Sequence, residues 1–212
     1  MSDKKKVASR YDRWKGFYDL VDNFPLVSRP QKRWKREAVD RLDLKGDELV
    51  LDIGTGSGEI IPWISEKLED GKVIGTDISQ GMVELTNRKI DEAGIEERAE
   101  AVYDDIEDSD FPDDHFDRII ATFTFTTLPD PERAAEECGR VLKPNGKMVV
   151  IDTGKPTSKL AMPLFYPMML SAKAFGRTHM DRNIIGILKE YFEVEVVERY
   201  MLDMVYIVKC VG

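Results

Sequence analysis

Residues Val50 to Glu59 read VLDIGTGSGE. The run opens as an apolar strand, closes that strand around Asp52, and crosses Gly54, Thr55, Gly56, Ser57 and Gly58 before a helical pattern starts at Glu59. Glycines at alternate positions let the backbone approach a ligand closely, because no Cβ intervenes and positive φ is accessible. A dinucleotide site needs GxGxxG, so that a helix N-terminus receives a pyrophosphate. Here the spacing is GxGxG, with an acid two positions before it. A carboxylate beside the loop disfavours a pyrophosphate and favours a ligand that carries cationic centres.

Outward from this loop, short apolar runs alternate with amphipathic segments, the pattern of βαβ units. Strands are expected at Glu48–Ile53, Lys72–Asp77, Ala99–Tyr103, Phe116–Thr122 and Lys147–Asp152, and helices at Glu59–Leu68, Ser79–Ala93 and Pro131–Leu142. The last helix has a clear start, with Asp130 as N-cap, Pro131 at the first helical position and Glu132 in the first turn. A helix at Asn183–Phe192 leads to strands Val194–Tyr200 and Met204–Val211, which are close enough for an antiparallel hairpin. The expected fold is α/β, a Rossmann-like seven-stranded, mostly parallel sheet with a C-terminal antiparallel hairpin and helices on both faces.

Upstream, Arg10 to Phe24 spaces Tyr11, Trp14, Phe17, Tyr18 and Val21 as a helix does. Pro25 and Pro30 should interrupt it, with a second helix over Gln31–Leu42 carrying Trp34, Ala38 and Leu42 on one stripe. Thr153 to Arg182 is apolar and rich in methionine, and Pro156, Pro163 and Pro167 break it up, so it reads as an insertion or lid over one sheet edge. A length of 212 residues with 42% hydrophobic content suits one structural domain.

Net charge is -9, unevenly spread: Met1 to Gly46 holds thirteen Lys/Arg against seven Asp/Glu, so the rest of the chain is strongly acidic. An acidic body disfavours the phosphate tracks of DNA. A basic leading segment instead suits peripheral contact with an anionic membrane. No run approaches the length of a membrane span and Met1 to Arg10 lacks the apolar core of a signal, so a cytoplasmic protein is expected, with the membrane surface as a second location. Cys138 and Cys210 lack metal-ligand spacing and, with only His115 and His179 besides, no metal is expected.

Two further elements complete the pattern. Asp77 ends the strand of KVIGTDIS, where a carboxylate can accept hydrogen bonds from both hydroxyls of a ribose, while Ser79 serves as the helix N-cap. Asp104-Asp105-Ile106 follows the third strand, where an acid and a backbone amide could meet an adenine, although the crowded acids there also read as a solvated loop.

VLDIGTGSGE, VIGTDIS, the acidic turn and FPDDHFDRIIATFTFTTLPDPERAAEECGRVLKPNGKMVVID together resemble the ordered motifs of class I S-adenosylmethionine-dependent methyltransferases, over about Glu48 to Asp152. The resemblance implies S-adenosyl-L-methionine as donor and S-adenosyl-L-homocysteine as product. It implies donor contacts from Asp52, Gly54, Thr55, Gly56, Gly58, Asp77, Ile78, Asp105, Ile106 and Thr122, with Phe123 near the transferable methyl. KPNG, residues 143–146, is given a structural role as the turn before the fifth strand. Residues 1–46 would then cap the active site, residues 47–212 form the catalytic body, and residues 153–182 serve as its lid.

YDRWKGFYDLVDNF, RWKREAV and the FPDDHFD turn look like the ubiquinone and menaquinone biosynthesis methyltransferases, and are similar to bacterial phospholipid N-methyltransferases. The implied acceptor is small and hydrophobic or lipid-linked, quinol-like or a phospholipid amine. A non-catalytic donor-binding module and an RNA methyltransferase are the alternatives. Tyr11 and Tyr18 are candidates for folding over the site, with Tyr18 also a candidate for the chemistry; equally, they could staple a helix to the sheet. His179 is the candidate base. Met162, Met168, Met169 and Leu170 read either as an adaptable acceptor pocket or as core filler.

Overall fold

The computed structural model describes residues 25–163, 165–167, 169–170 and 178–212. The N-terminal helix expected over Arg10–Phe24 lies outside them. Helix α1 spans Pro25–Asp40, and is followed by β1 Leu49–Ile53, α2 Ile61–Ser65, β2 Lys72–Asp77, α3 Gln80–Ala93, β3 Ala99–Tyr103, β4 Phe116–Thr122, α4 Pro131–Val141, β5 Leu142–Thr153, α5 Ile184–Leu188, β6 Glu193–Tyr200 and β7 Val205–Val211. The seven strands form one sheet in the order β3-β2-β1-β4-β5-β7-β6. β1 to β5 pair in parallel, and β7 runs antiparallel to both β5 and β6, which confirms the expected hairpin.

Strand side chains alternate between the two faces of the sheet. Leu51, Ile119, Val150 and Val208 enter one apolar layer, with Ala134, Ala135 and Cys138 of α4 and Leu188 of α5. Their neighbours Val50, Ile120, Val149 and Ile207 enter the other, with Ala38 and Val39 of α1 and Ile61 and Ile64 of α2. Both faces are therefore covered, as a parallel sheet requires. The side chain of Asp130 accepts from the Arg133 N–H at 3.0 Å to start α4, and Ser79 accepts from Met82 at 3.3 Å to start α3.

Four boundaries differ from expectation. α1 begins at Pro25 and passes through Pro30 unbroken. Proline removes one intrahelical bond there, and the apolar stripe ending in Ala38 and Val39 holds the helix on the sheet regardless. α2 spans Ile61–Ser65 rather than Glu59–Leu68: the chain first turns more tightly, the Ile61 N–H donating to the Gly58 carbonyl at 3.3 Å, and Pro62 suits the first helical turn. β5 begins at Leu142, which pairs with Phe116, so KPNG lies inside the strand as an irregularity bent at Asn145, φ +63°. α5 is five residues long, and residues beyond it coil more tightly, with Tyr191 N–H donating to the Leu188 carbonyl at 3.2 Å.

Met162 and Met169 pack against Phe165, Met180 and Met204, which fits core filler, whereas Leu170 is exposed and Met168 lies outside the described residues. Cys138 and Cys210 are buried free thiols whose pKa burial pushes up. Among the described residues, no helix is long and apolar enough to cross a membrane.

A Cβ at Gly58 would stand 2.6 Å from the Thr86 methyl, on backbone already left-handed. Gly58→Ala should therefore destabilise the protein by about 2 to 4 kcal/mol, from the left-handed penalty plus overpacking. The midpoint of urea unfolding measures this, and an unchanged midpoint would refute it.

Candidate active site

In sequence the sheet grows from β1 through β2 to β3, and then reverses to place β4 on the other side of β1. Such a reversal opens a crevice at the carboxyl ends of the strands, where ligands of α/β sheets bind. A cavity of about 270 Å³ lies there. Gly54, Thr55 and Gly56 line it after β1, Asp77 and Ile78 at the end of β2, Asp105 and Ile106 after β3, and Thr122 and Phe123 at the end of β4. Nine of the residues singled out in the sequence are thus gathered in one cleft.

The loop after β1 owes its course to its glycines. Gly54, Gly56 and Gly58 have φ of +64°, +56° and +70°, the region glycine alone enters freely. Their duties differ. A Cβ at Gly54 would strike Thr124 at 2.7 Å, and one at Gly58 would strike Thr86, so both are fixed by packing. At Gly56 a Cβ would meet nothing nearer than 3.9 Å, so its missing side chain leaves the cleft itself clear.

Asp77 holds this loop in place. Its Oδ2 accepts from the Gly56 N–H at 3.0 Å and its Oδ1 from the Ser79 N–H at 2.8 Å. The same carboxylate lines the cleft, and a carboxylate accepts hydrogen bonds from hydroxyls as it does from amides. Asp105 accepts from the Glu107 N–H at 3.1 Å, which shapes the turn that presents buried Ile106 to the cleft.

Three candidates stand outside the lining. Gly58 is a packing residue, as above. His179 donates its backbone N–H to the Thr126 carbonyl at 2.7 Å and is not among the residues that line the cleft. Asp52 lies beneath the loop, fully buried, and among the described residues neither carboxylate oxygen accepts a hydrogen bond. Tyr11 and Tyr18 fall outside the described residues.

Sequence reading missed other lining residues. Gln31 and Lys35 reach the cleft from α1, and Lys35 Nζ pairs with Glu59 at 2.7 Å. Leu128 and Pro129 close the opposite wall. The bond from Lys35 crosses twenty-four residues of chain, and nothing local in the sequence announces it. Asp152, buried at the end of β5, accepts from the Thr126 hydroxyl at 2.7 Å and the Thr126 N–H at 3.1 Å, and so ties the segment after β4 to β5.

Burial pushes the Asp52 carboxyl up to about 7, with the nearby Thr55 hydroxyl and Lys35 ammonium pulling it back. Thr55 is close without being aligned for a hydrogen bond. Burial likewise raises Asp152 to about 6, against the hydrogen bonds from Thr126 and Thr153. An unfolded aspartate titrates near pH ~3.9, so the folded chain binds more protons than the unfolded one from about pH 4 up to these values. Stability contributed by these groups is complete below that window and falls as pH rises through it. Asp52→Asn should consequently lose less stability than the wild type between about pH 4.5 and about pH 8 in urea titrations; parallel pH curves would contradict the assignment.

Comparison with known proteins agrees with this geometry. Residues 50–146 match the family described as Methyltransferase domain. The ubiquinone/menaquinone biosynthesis C-methyltransferase UbiE of Pseudomonas entomophila (strain L48) is 31% identical over 157 residues, which are 74% of this chain and 61% of the relative. UbiE of Pseudomonas putida (strain GB-1) is 30% identical over 157 residues, with the same 74% and 61% coverage. The chain spans about three fifths of the length of the curated relatives it matches, at 61%. Among solved structures, the cyclase SpnF superposes with a TM-score of 0.75 at 20% identity, covering 93% of this chain and 75% of SpnF. Geranyl diphosphate C-methyltransferase of Streptomyces coelicolor A3(2), solved with S-adenosyl-L-homocysteine, gives a TM-score of 0.67 at 14% identity, covering 87% and 79%. These two share the fold. Residues 50–146 thus carry a methyltransferase domain whose ordered motifs gather in one cleft at the reversal of the sheet, and the chain is similar to the UbiE methyltransferases.

Proposed function

We propose that the protein transfers a methyl group from S-adenosyl-L-methionine to a small, hydrophobic or lipid-linked acceptor, quinol-like or a phospholipid amine. The observation that carries the reading is Asp77, which fixes the glycine loop through Gly56 and lines the cleft at the end of β2. The residues fit the donor: Gly56 leaves room for it, Asp77 suits a ribose, and Asp105 with Ile106 suits an adenine. The resemblance to UbiE supports an acceptor of the quinone type, and transfer to carbon is the form that this relative's name describes.

When bound, the donor supplies a methyl group already activated by its sulfonium. What remains for the chain is alignment and the exclusion of water. The loop of residues 54–56 and Asp77 set the position of the nucleoside, and Thr122 and Phe123 bound the space beyond it. Phe123 is held by its N–H, which donates to the Ile151 carbonyl at 2.7 Å, in a left-handed conformation at φ +58°. Its place after β4 puts an apolar ring where an acceptor would approach. His179 has no part in this reading. Arg29, Lys32, Arg33 and Arg36 of α1, set among Glu37 and Asp40, give the region a net positive surface that suits an anionic membrane as the source of acceptor.

Asp77→Ala should weaken binding of S-adenosyl-L-homocysteine about ten- to a hundredfold, the worth of one charged hydrogen bond or slightly more. Unchanged affinity by calorimetry would remove Asp77 from the site. Incubation with labelled donor and a panel of quinol precursors, phosphatidylethanolamine, phenols, thiols and amines should label a quinol or lipid fraction. A tight donor complex that labels nothing in the panel or in cell lipid extract would favour a binding module over an enzyme.

A further inference from the structure

The described lining of the cleft carries five carboxylates, Glu59, Asp77, Asp104, Asp105 and Glu107, and one cation, Lys35. The donor of the proposed reaction ends in an amino acid, so a carboxylate has to enter this acidic cleft. We propose that Lys35 receives that carboxylate, and so makes α1 part of the donor site; this rests on the reading of the cleft given above.

Position supports it first. Adjacent strands lie about 4.8 Å apart, so β3 and β4, three spacings apart in the sheet, are separated by about 14 Å. With its base at Asp105 and Ile106 after β3 and its ribose at Asp77, a donor extends toward β1 and β4. Lys35 is at that end: its Nζ lies 6.0 Å from the centre of the Phe123 ring, just past β4. The side chain is 15% exposed, so its charge is little screened by water.

Charge supports it second. The Lys35 ammonium offers three donors, and its bond to Glu59 Oε2 at 2.7 Å uses one. Lys32 stands 3.7 Å from the other oxygen of Glu59 and offsets part of the negative charge there. Lys35 also acts on the buried Asp52, whose carboxyl it pulls down. The methionine end of the cleft thus sets a cation beside an anion, the complement of a zwitterion. Without Lys35, only the half-exposed Lys32 would offset Glu59 as a carboxylate entered, and like charges repel.

Calorimetry with two ligands tests this. S-adenosyl-L-homocysteine has the amino acid end, and 5′-methylthioadenosine is a nucleoside thioether without it. Lys35→Met should weaken the first about ten- to a hundredfold and leave the second within about twofold. Equal affinity of variant and wild type for S-adenosyl-L-homocysteine would overturn the proposal and leave the donor site standing. An equal loss for both ligands would also overturn it, since Lys35 would then merely hold α1 in place. A second measurement needs no variant: the wild type should bind S-adenosyl-L-homocysteine at least about tenfold more tightly than its decarboxylated analogue, and equal binding would refute the role. If the wild type binds neither ligand, the donor reading itself falls.

Discussion

The site depends on a backbone that turns left-handed three times in five residues. Gly54, Gly56 and Gly58 let the chain leave β1 while staying low over the strand ends, and Asp77 pins the middle of that course from the next strand. Few other residues could follow this path, since left-handed backbone costs any side chain with a Cβ about 1 to 2 kcal/mol. Two of the three glycines are needed for packing against Thr124 and Thr86, and the third leaves the cleft clear. A loop with the cleft above it and a filled core beneath it is the result.

Below the loop the dielectric is low, and the acids there behave accordingly. Asp52 and Asp152 have similar burial but different company: Asp52 has a nearby hydroxyl and a distant ammonium, whereas Asp152 holds hydrogen bonds from Thr126 and Thr153. The better satisfied carboxylate is the less shifted, as expected when hydrogen bonds to the charged form oppose desolvation. Both sit at the carboxyl ends of parallel strands, β1 and β5, beneath segments that leave the sheet.

Much of this was legible in the sequence because it is local. Alternation of apolar runs set the strands, and the spacing of Asp52, the three glycines and Asp77 located the donor loop. What escaped was created by distance along the chain. Lys35 meets Glu59 only because α1 folds onto the sheet, and Thr126 meets Asp152 only because β4 and β5 are neighbours. Helix boundaries slipped where local or tertiary contacts overrode a periodic pattern: a tight turn after Gly58 precedes α2, and the packing of α1 overrode Pro30. Asp52 and Gly58 belong to the motif by position, yet they support the cleft from below rather than line it.

The strand order divides the sheet into unequal partners. Every described residue that lines the cleft falls between Gln31 and Pro129, so β5, β6 and β7 contribute none. Near the cleft the two parts are tied by several hydrogen bonds: Asp152 accepts from Thr126, His179 donates its N–H to the carbonyl of the same residue, Phe123 donates its N–H to the Ile151 carbonyl, and the Arg182 guanidinium donates to the Leu128 and Pro129 carbonyls. All of these ties reach the segment after β4, so the last three strands bear on the cleft through that wall. A fold shared with a cyclase such as SpnF shows how far chemistry can diverge on one scaffold.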